Sequence, residues 1–94
     1  MSKLRETARG QECFVRLPNL CNFNPETTVL AHLNGGGMGM KHEDIFGAFC
    51  CSSCHDEYDR RTRFMSFDFV ELAFYEGMVR TQKYWLKNNC IVIR

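Results

Sequence analysis

Two thiols three residues apart, Cys51 and Cys54, with an imidazole directly after the second at His55, are the side chains of this chain best arranged for chemistry. A second thiol pair, Cys13 and Cys21, lies upstream in a polar segment interrupted by Pro18-Asn19. Four thiolates around one ion make the closed tetrahedral site of structural zinc, so the spacing predicts a zinc clamp of Cys13, Cys21, Cys51 and Cys54. The clamp would tie the start of a helix to a loop some thirty residues earlier. His55 would then stand beside it, free for other work. Cys50 would face away from Cys51 on a helix, and Cys90, in a β-like apolar run, reads as a buried free thiol.

Two rival chemistries use the same residues. Cys-x-x-Cys-His also attaches c-type haem, but that chemistry normally requires export, and Met1–Glu6 lacks the apolar core of an export signal. A thioredoxin-like dithiol belongs at the start of a helix after a parallel strand. The pattern here is a hairpin followed by helices.

His32 and His55 add a second possibility. Phosphodiester hydrolysis needs an activated water, a divalent cation to neutralise developing charge, and help for the departing oxygen. A neutral imidazole can take the proton of that water, while a second imidazole and a carboxylate hold the cation.

These residues need elements to position them. Residues 1–10 read as a flexible basic leader. Cys13-Phe14-Val15-Arg16-Leu17 reads as a short strand stopped by Pro18-Asn19, and Thr27–Leu33, rich in β-branched residues, as a second strand with His32 near its end. Asn34–Met40 is a glycine-dense loop without the Lys-Ser/Thr ending of a phosphate-binding loop. A helix over about Cys51–Arg61 would put Cys51, Cys54 and His55 on one face. Ser66 or Asp68 can cap a longer helix ending near Asn88-Asn89, with Phe67, Val70, Phe74, Met78 and Leu86 as its buried stripe. Cys90–Ile93 would add a short strand to the edge of the hairpin.

At 94 residues the chain is one domain, 1–94, with 11–61 as its core and 62–94 as a C-terminal helix and short strand. A chain this short buries only ~60–65% of its unfolded surface, so a metal staple is useful. A hydrophobic fraction of 45% with eight Phe excludes a disordered chain. No apolar run is long enough to span a membrane, and a cytoplasmic location, where cysteines stay reduced, is expected. Net charge is only +1, but residues 1–19 carry +2, residues 20–59 carry −5 and residues 60–94 carry +4. An acidic centre between basic flanks suits a cation site approached by a polyanion. Arg60, Arg61 and Arg63 directly follow the site helix and suit phosphate contact.

The Cys13/Cys21 pair, Ala31-His32-Leu33, the Gly-rich loop and Cys51-Ser52-Ser53-Cys54-His55 together resemble the HNH endonucleases. The whole chain, including Asn24-Pro25-Glu26-Thr27-Thr28 and Gly36-Gly37-Met38-Gly39-Met40-Lys41-His42, resembles more specifically the YbcO-like nucleases of lambdoid prophages. The resemblance implies an α+β domain with a zinc-stapled ββα-metal hairpin and helix, extended by a long C-terminal helix. It implies a metal-dependent endonuclease acting on DNA, in phage recombination or replication, with His32 as general base and His55 as a ligand of a catalytic cation such as Mg2+. Two positions depart from the family pattern: Ala31 stands where an acidic residue usually precedes the first histidine, and Phe46 where the middle asparagine falls. Asp44 or His42 could supply the missing group, and Asp59 lies one helical turn beyond His55. These departures also fit the alternative, a non-catalytic zinc module that binds DNA or a recombination protein.

Overall fold

Val29–His32 (β1) and Gly47–Cys50 (β2) pair as an antiparallel hairpin, with Val29 opposite Cys50 and His32 opposite Gly47. The computed structural model describes residues 3–34 and 42–93, and this hairpin is the sheet it contains among them. Lys3–Glu6 (α1) precedes the hairpin, while Ser52–Tyr58 (α2) and Phe67–Lys87 (α3) follow it. The result is a small α+β fold; no helix among the described residues is long and apolar enough to cross a membrane.

The hairpin is buried on both faces. Ala31, Ala48 and Cys50 join the thiols, Tyr58, Val70 and Phe74 in one apolar cluster. Leu30 and Phe49, the neighbouring pair in the register, face the other way and join Ala8 and Trp85. Side chains alternate across a strand, so a two-sided core leaves no polar position on β2, and all four of its residues are buried. Helix α3 serves both clusters from one stripe: Val70, Ala73, Phe74, Gly77, Met78, Thr81 and Trp85 are its buried residues, at three- and four-residue spacings. Ser66 caps it by accepting from the Phe69 N–H at 3.4 Å. Of the five residues expected in the stripe, Phe67 and Leu86 are exposed instead. Thr81 and Trp85 carry the stripe onward.

Several expected elements differ. The hairpin partner of β1 is β2, not Cys13–Leu17. That segment forms no strand, because the backbone turns left-handed at Arg16 (φ 55°) to bring Cys13 and Cys21 to one point. Among the described residues it reaches the sheet through one backbone bond, Phe14 N–H to the Phe49 carbonyl at 2.8 Å. The Phe49 N–H is taken by the Thr81 hydroxyl at 3.0 Å, so both polar backbone groups of this buried residue are satisfied. Cys90–Ile93 is not a strand either. Asn89 turns left-handed (φ 59°), and the Cys90 N–H returns to the Trp85 carbonyl at 2.8 Å, ending the helix and leaving Cys90 exposed rather than buried. The basic leader is folded from Lys3 onward: Ala8 is buried, and the Trp85 indole N–H donates to the Thr7 hydroxyl at 2.8 Å. Most of the glycine-dense loop, residues 35–40, lies outside the described residues.

Candidate metal centre and histidine pairs

The four predicted thiols converge. Cys13, Cys21, Cys51 and Cys54 are all buried, and their sulfurs lie within 4.8 Å of one another. The Cys51 and Cys21 sulfurs are 3.8 Å apart. Four sulfurs at zinc–thiolate bond length on a tetrahedron are separated by roughly 3.8 Å, so the cluster has the size a tetrahedral ion requires. A disulfide is much shorter, and all six cysteines are free.

The backbone around these sulfurs is arranged for thiolates. Arg16 donates its N–H to the Cys13 sulfur at 3.5 Å, and Cys54 donates to the Cys51 sulfur at 3.4 Å. Cys21 and Cys54 receive further backbone bonds from Phe23 and Leu17. Two of the donors, Arg16 and Phe23, are left-handed with φ of 55° and 54°, and so is Asn19 (φ 61°) in the loop between Cys13 and Cys21. None is glycine, and strain of this kind persists only where the surroundings over-determine it.

Charge leads to the same conclusion. Hydrogen bonds from the Cys50 and Cys54 thiols hold Cys13 well below the ordinary thiol range, against the effect of burial. Cys54 is pushed up, first by its bond to Cys13 and then by burial, while burial chiefly lifts Cys21 to about 11. One thiolate therefore forms readily and discourages the next. A bound dication removes that repulsion, and the four residues could hold an ion such as zinc. Cys50 is not directed away, as a helical position would have it. It is the last residue of β2, fully buried against this cluster, and its bonds to Cys13 and Cys54 with burial raise it well above the ordinary range.

Helix α3 holds the thiol loop. A side-chain carbon on Gly77 would lie 2.9 Å from Val15 Cγ2 and 3.1 Å from the Phe14 carbonyl, so glycine permits this approach. Arg80 Nη1 donates to the same Phe14 carbonyl at 2.7 Å.

The histidines form two carboxylate pairs. His32 ends β1, and its Nε2 lies 2.5 Å from Asp44 Oδ1, in the turn that leads into β2. Arg5 Nε reaches the same oxygen at 3.3 Å. His55 is on α2 and Asp59 at its C-cap, with Nε2 to Oδ2 at 3.0 Å. Helix α2 starts at the Cys50 end of the hairpin and runs back along it, since the Tyr58 hydroxyl accepts from the Asn34 N–H at 3.1 Å, two residues past His32. His42 is exposed, its ring edge-on to Phe46 at 5.9 Å, and its N–H bonds the Leu33 carbonyl at 3.0 Å.

The three arginines have different roles. Arg60 is committed within the fold: it donates to the Met65 carbonyl at 3.2 Å and lies over the Phe67 ring at 5.6 Å. Arg61 is exposed and pairs with Asp56 at 2.9 Å and Asp59 at 3.6 Å. Arg63 is exposed. Glu57, read from sequence only as part of an acidic centre, is fully buried and anchors this segment. It accepts from the Thr62 hydroxyl at 2.5 Å and the Met65 N–H at 2.7 Å. Burial alone would raise its carboxyl, but bonds from Thr62, Met65 and Phe64 and the charge of Arg60 hold it below the ordinary value. Its position three residues after Cys54, on the buried face of α2, was the signal in the sequence.

Comparison with known proteins gives a consistent picture. Residues 2–90 match the protein family described as "Putative nuclease YbcO". The Escherichia coli K12 protein of that name is 49% identical over 94 residues, covering 97% of this chain and 98% of the relative. A protein of the same description from Enterobacteria phage 82 matches with the same identity and coverage. A solved structure of a "putative bacteriophage protein" from Escherichia coli K-12 substrain MG1655 superimposes with a TM-score of 0.83 at 47% identity, covering 93% of this chain and all of that one.

Proposed function

The chain belongs to the YbcO family, and from that premise we propose that it is a metal-dependent endonuclease that hydrolyses DNA phosphodiester bonds in the manner of the HNH enzymes. The contact between His32 and Asp44 at the end of β1 carries this reading. With Nε2–H donated to the carboxylate, Nδ1 of His32 keeps its lone pair for the proton of an attacking water. Asp44 is twelve residues away in sequence, and its contact with the imidazole supports it as the substitute for the acidic residue that the family pattern has at Ala31.

His55 and Asp59 are the proposed ligands of a divalent cation such as Mg2+, with exposed His42 available as a further one. That cation would supply charge neutralisation at the scissile phosphate and at the departing oxygen. The strand–strand–helix order of β1, β2 and α2, with a histidine on the first strand and another on the helix, supports the ββα-metal reading. Zinc in the four-cysteine clamp would hold the loop and α2 in place without joining the reaction. Arg61 and Arg63, exposed beside α2, are the proposed phosphate contacts from that segment, with Arg60 fixing its shape. The match to a phage relative supports a role in phage recombination or replication.

The test is incubation of the purified protein with plasmid and single-stranded DNA in Mg2+ or Mn2+. Cleavage is expected, and loss of about 10²–10⁴-fold in rate on His32→Ala. Full activity in that variant would remove the proposed base. Phe46 at the asparagine position favours one other reading, a zinc module that binds DNA or a recombination protein without cutting. Binding without cleavage under any divalent metal would select it.

A further inference from the structure

A cavity of about 470 Å3 opens between the N-terminal segment and β1, outside both the thiol cluster and the His55–Asp59 pair. Its wall includes Arg5, Arg9, Thr28 and His32. A volume in the range of ~300–1,000 Å3 accommodates a small ligand, so a single nucleotide unit fits here. Two of these four residues are arginines.

Thr28 is the informative member. The residue is only 4% exposed, and its Oγ1 has no hydrogen-bond partner among the described residues. Buried hydroxyls are normally bonded, because withdrawing one from water without a partner is costly. The hydroxyl is thus a donor and acceptor without a mate, on a residue that lines the same cavity as two guanidinium groups, and it would reach that cavity by rotation about χ1. Arg9 is exposed and makes no ion pair among the described residues, whereas Arg5 is already shared with Asp44. Asp44 is paired in turn with Arg5 and faces His32. An uncommitted guanidinium and a vacant hydroxyl together suit a tetrahedral oxyanion: the arginine supplies charge and forked N–H donors, and the threonine a single O–H.

We propose that this cavity holds one backbone phosphate of the nucleic-acid strand, with Arg9 and Thr28 as its specific contacts, beside His32. The inference rests on the nucleic-acid substrate class of the nuclease reading and adds the place where the strand is gripped. It also gives the N-terminal segment a role: Ala8 and Thr7 dock on the Leu30/Trp85 core and so carry Arg9 to the mouth of the cavity.

The probe is a fluorescent single-stranded DNA 12-mer, titrated by anisotropy with no Mg2+ or Mn2+ added. Arg9→Ala and Thr28→Val are each expected to weaken binding about tenfold, the loss of one hydrogen bond to a charged group. Arg9→Ala should also lower the salt slope of the affinity by about one. Thr28→Ser keeps the hydroxyl and should bind within twofold of the parent. Amide shifts of Arg9, Thr28 and His32 in the unmodified protein on oligonucleotide titration locate the site even where a variant fails to fold. Unchanged affinity in both variants, or shifts confined to the segment around Arg61 and Arg63, would overturn the proposal. Inorganic phosphate that binds as tightly as the oligonucleotide, and is lost in both variants, would assign the cavity to free phosphate and overturn it as well. Oligonucleotide binding that depends on Arg9 and Thr28 without cleavage under any metal sustains this inference while removing the nuclease reading. Cleavage with no dependence on either residue does the reverse.

Discussion

Replacing Cys51 with serine isolates the contribution of the metal. Cys51 is the N-cap of α2, where its sulfur accepts from the Cys54 N–H. Serine is among the best N-cap residues, so Cys51→Ser keeps the cap and removes only a thiolate. Structural zinc contributes ~10–16 kcal/mol to folding in small domains, and an equal share per ligand makes one thiolate worth roughly 2.5–4 kcal/mol. A 94-residue domain has a net stability of roughly 5–14 kcal/mol, so the loss is a large fraction of it. The structure adds to the deficit, because the left-handed Arg16 and Phe23 each cost about 1–2 kcal/mol that only a formed centre offsets. At about 4–8 °C per kcal/mol, the melting temperature should fall by roughly 10–30 °C. Elemental analysis should return about one zinc per unmodified chain, and markedly less for Cys51→Ser after dialysis. Cys90→Ser, at an exposed thiol outside the cluster, should alter neither quantity. An unmodified protein with no bound metal, or a Cys51→Ser variant that melts with the parent, would refute the clamp.

Three further outcomes follow from other contacts. Asp44→Asn should lower the rate of DNA cleavage by about a hundredfold, the low end for a positioned acid–base group, with little change in KM, and an unaltered rate would exclude Asp44 from orienting His32. Thr81→Val strands the buried Phe49 N–H and should cost about 1–3 kcal/mol in urea unfolding, whereas Thr81→Ser, which keeps both bonds, should cost about 1 kcal/mol; equal losses would refute this role. Glu57 has a carboxyl held below its ordinary value of 4.5, so its charged form stabilises the fold at neutral pH and that contribution is lost as pH falls below this value. Glu57→Gln should therefore lower the melting temperature at pH 7 and flatten its acid dependence below pH 4.5, and parallel acid profiles in variant and parent would contradict the assignment.

The residues whose chemistry is local were legible in the sequence, and those whose placement depends on the whole fold were not. Cys51-x-x-Cys54 advertises itself by spacing on a single helical turn, and a thiol pair upstream needs only a turning loop to complete the cluster. Strand β2 escaped notice because Gly47-Ala48-Phe49-Cys50 has no alternation of polar and apolar residues. Both of its faces are core, so the period-two signal that reveals a half-exposed strand is absent. The opposite error befell Cys13–Leu17, whose aromatic and β-branched residues look strand-like but whose one sulfur joins that of Cys21 only through a curled backbone; local preference lost to the geometry of the centre. The same competition explains the site. Asp44 could be suspected as a substitute for the missing acidic neighbour of His32, but only the return of the chain into β2 puts its carboxylate on the imidazole. Arg9 and Thr28 had no sequence signal, because nineteen positions separate them and a basic N-terminal stretch ordinarily remains in solvent. They line one cavity because Trp85, near the far end of the chain, captures Thr7 and fixes the segment that carries Arg9 against β1. The proposed strand-gripping residues therefore depend on the second apolar core, and a mutation at Trp85 should disturb oligonucleotide binding before it disturbs the metal centre.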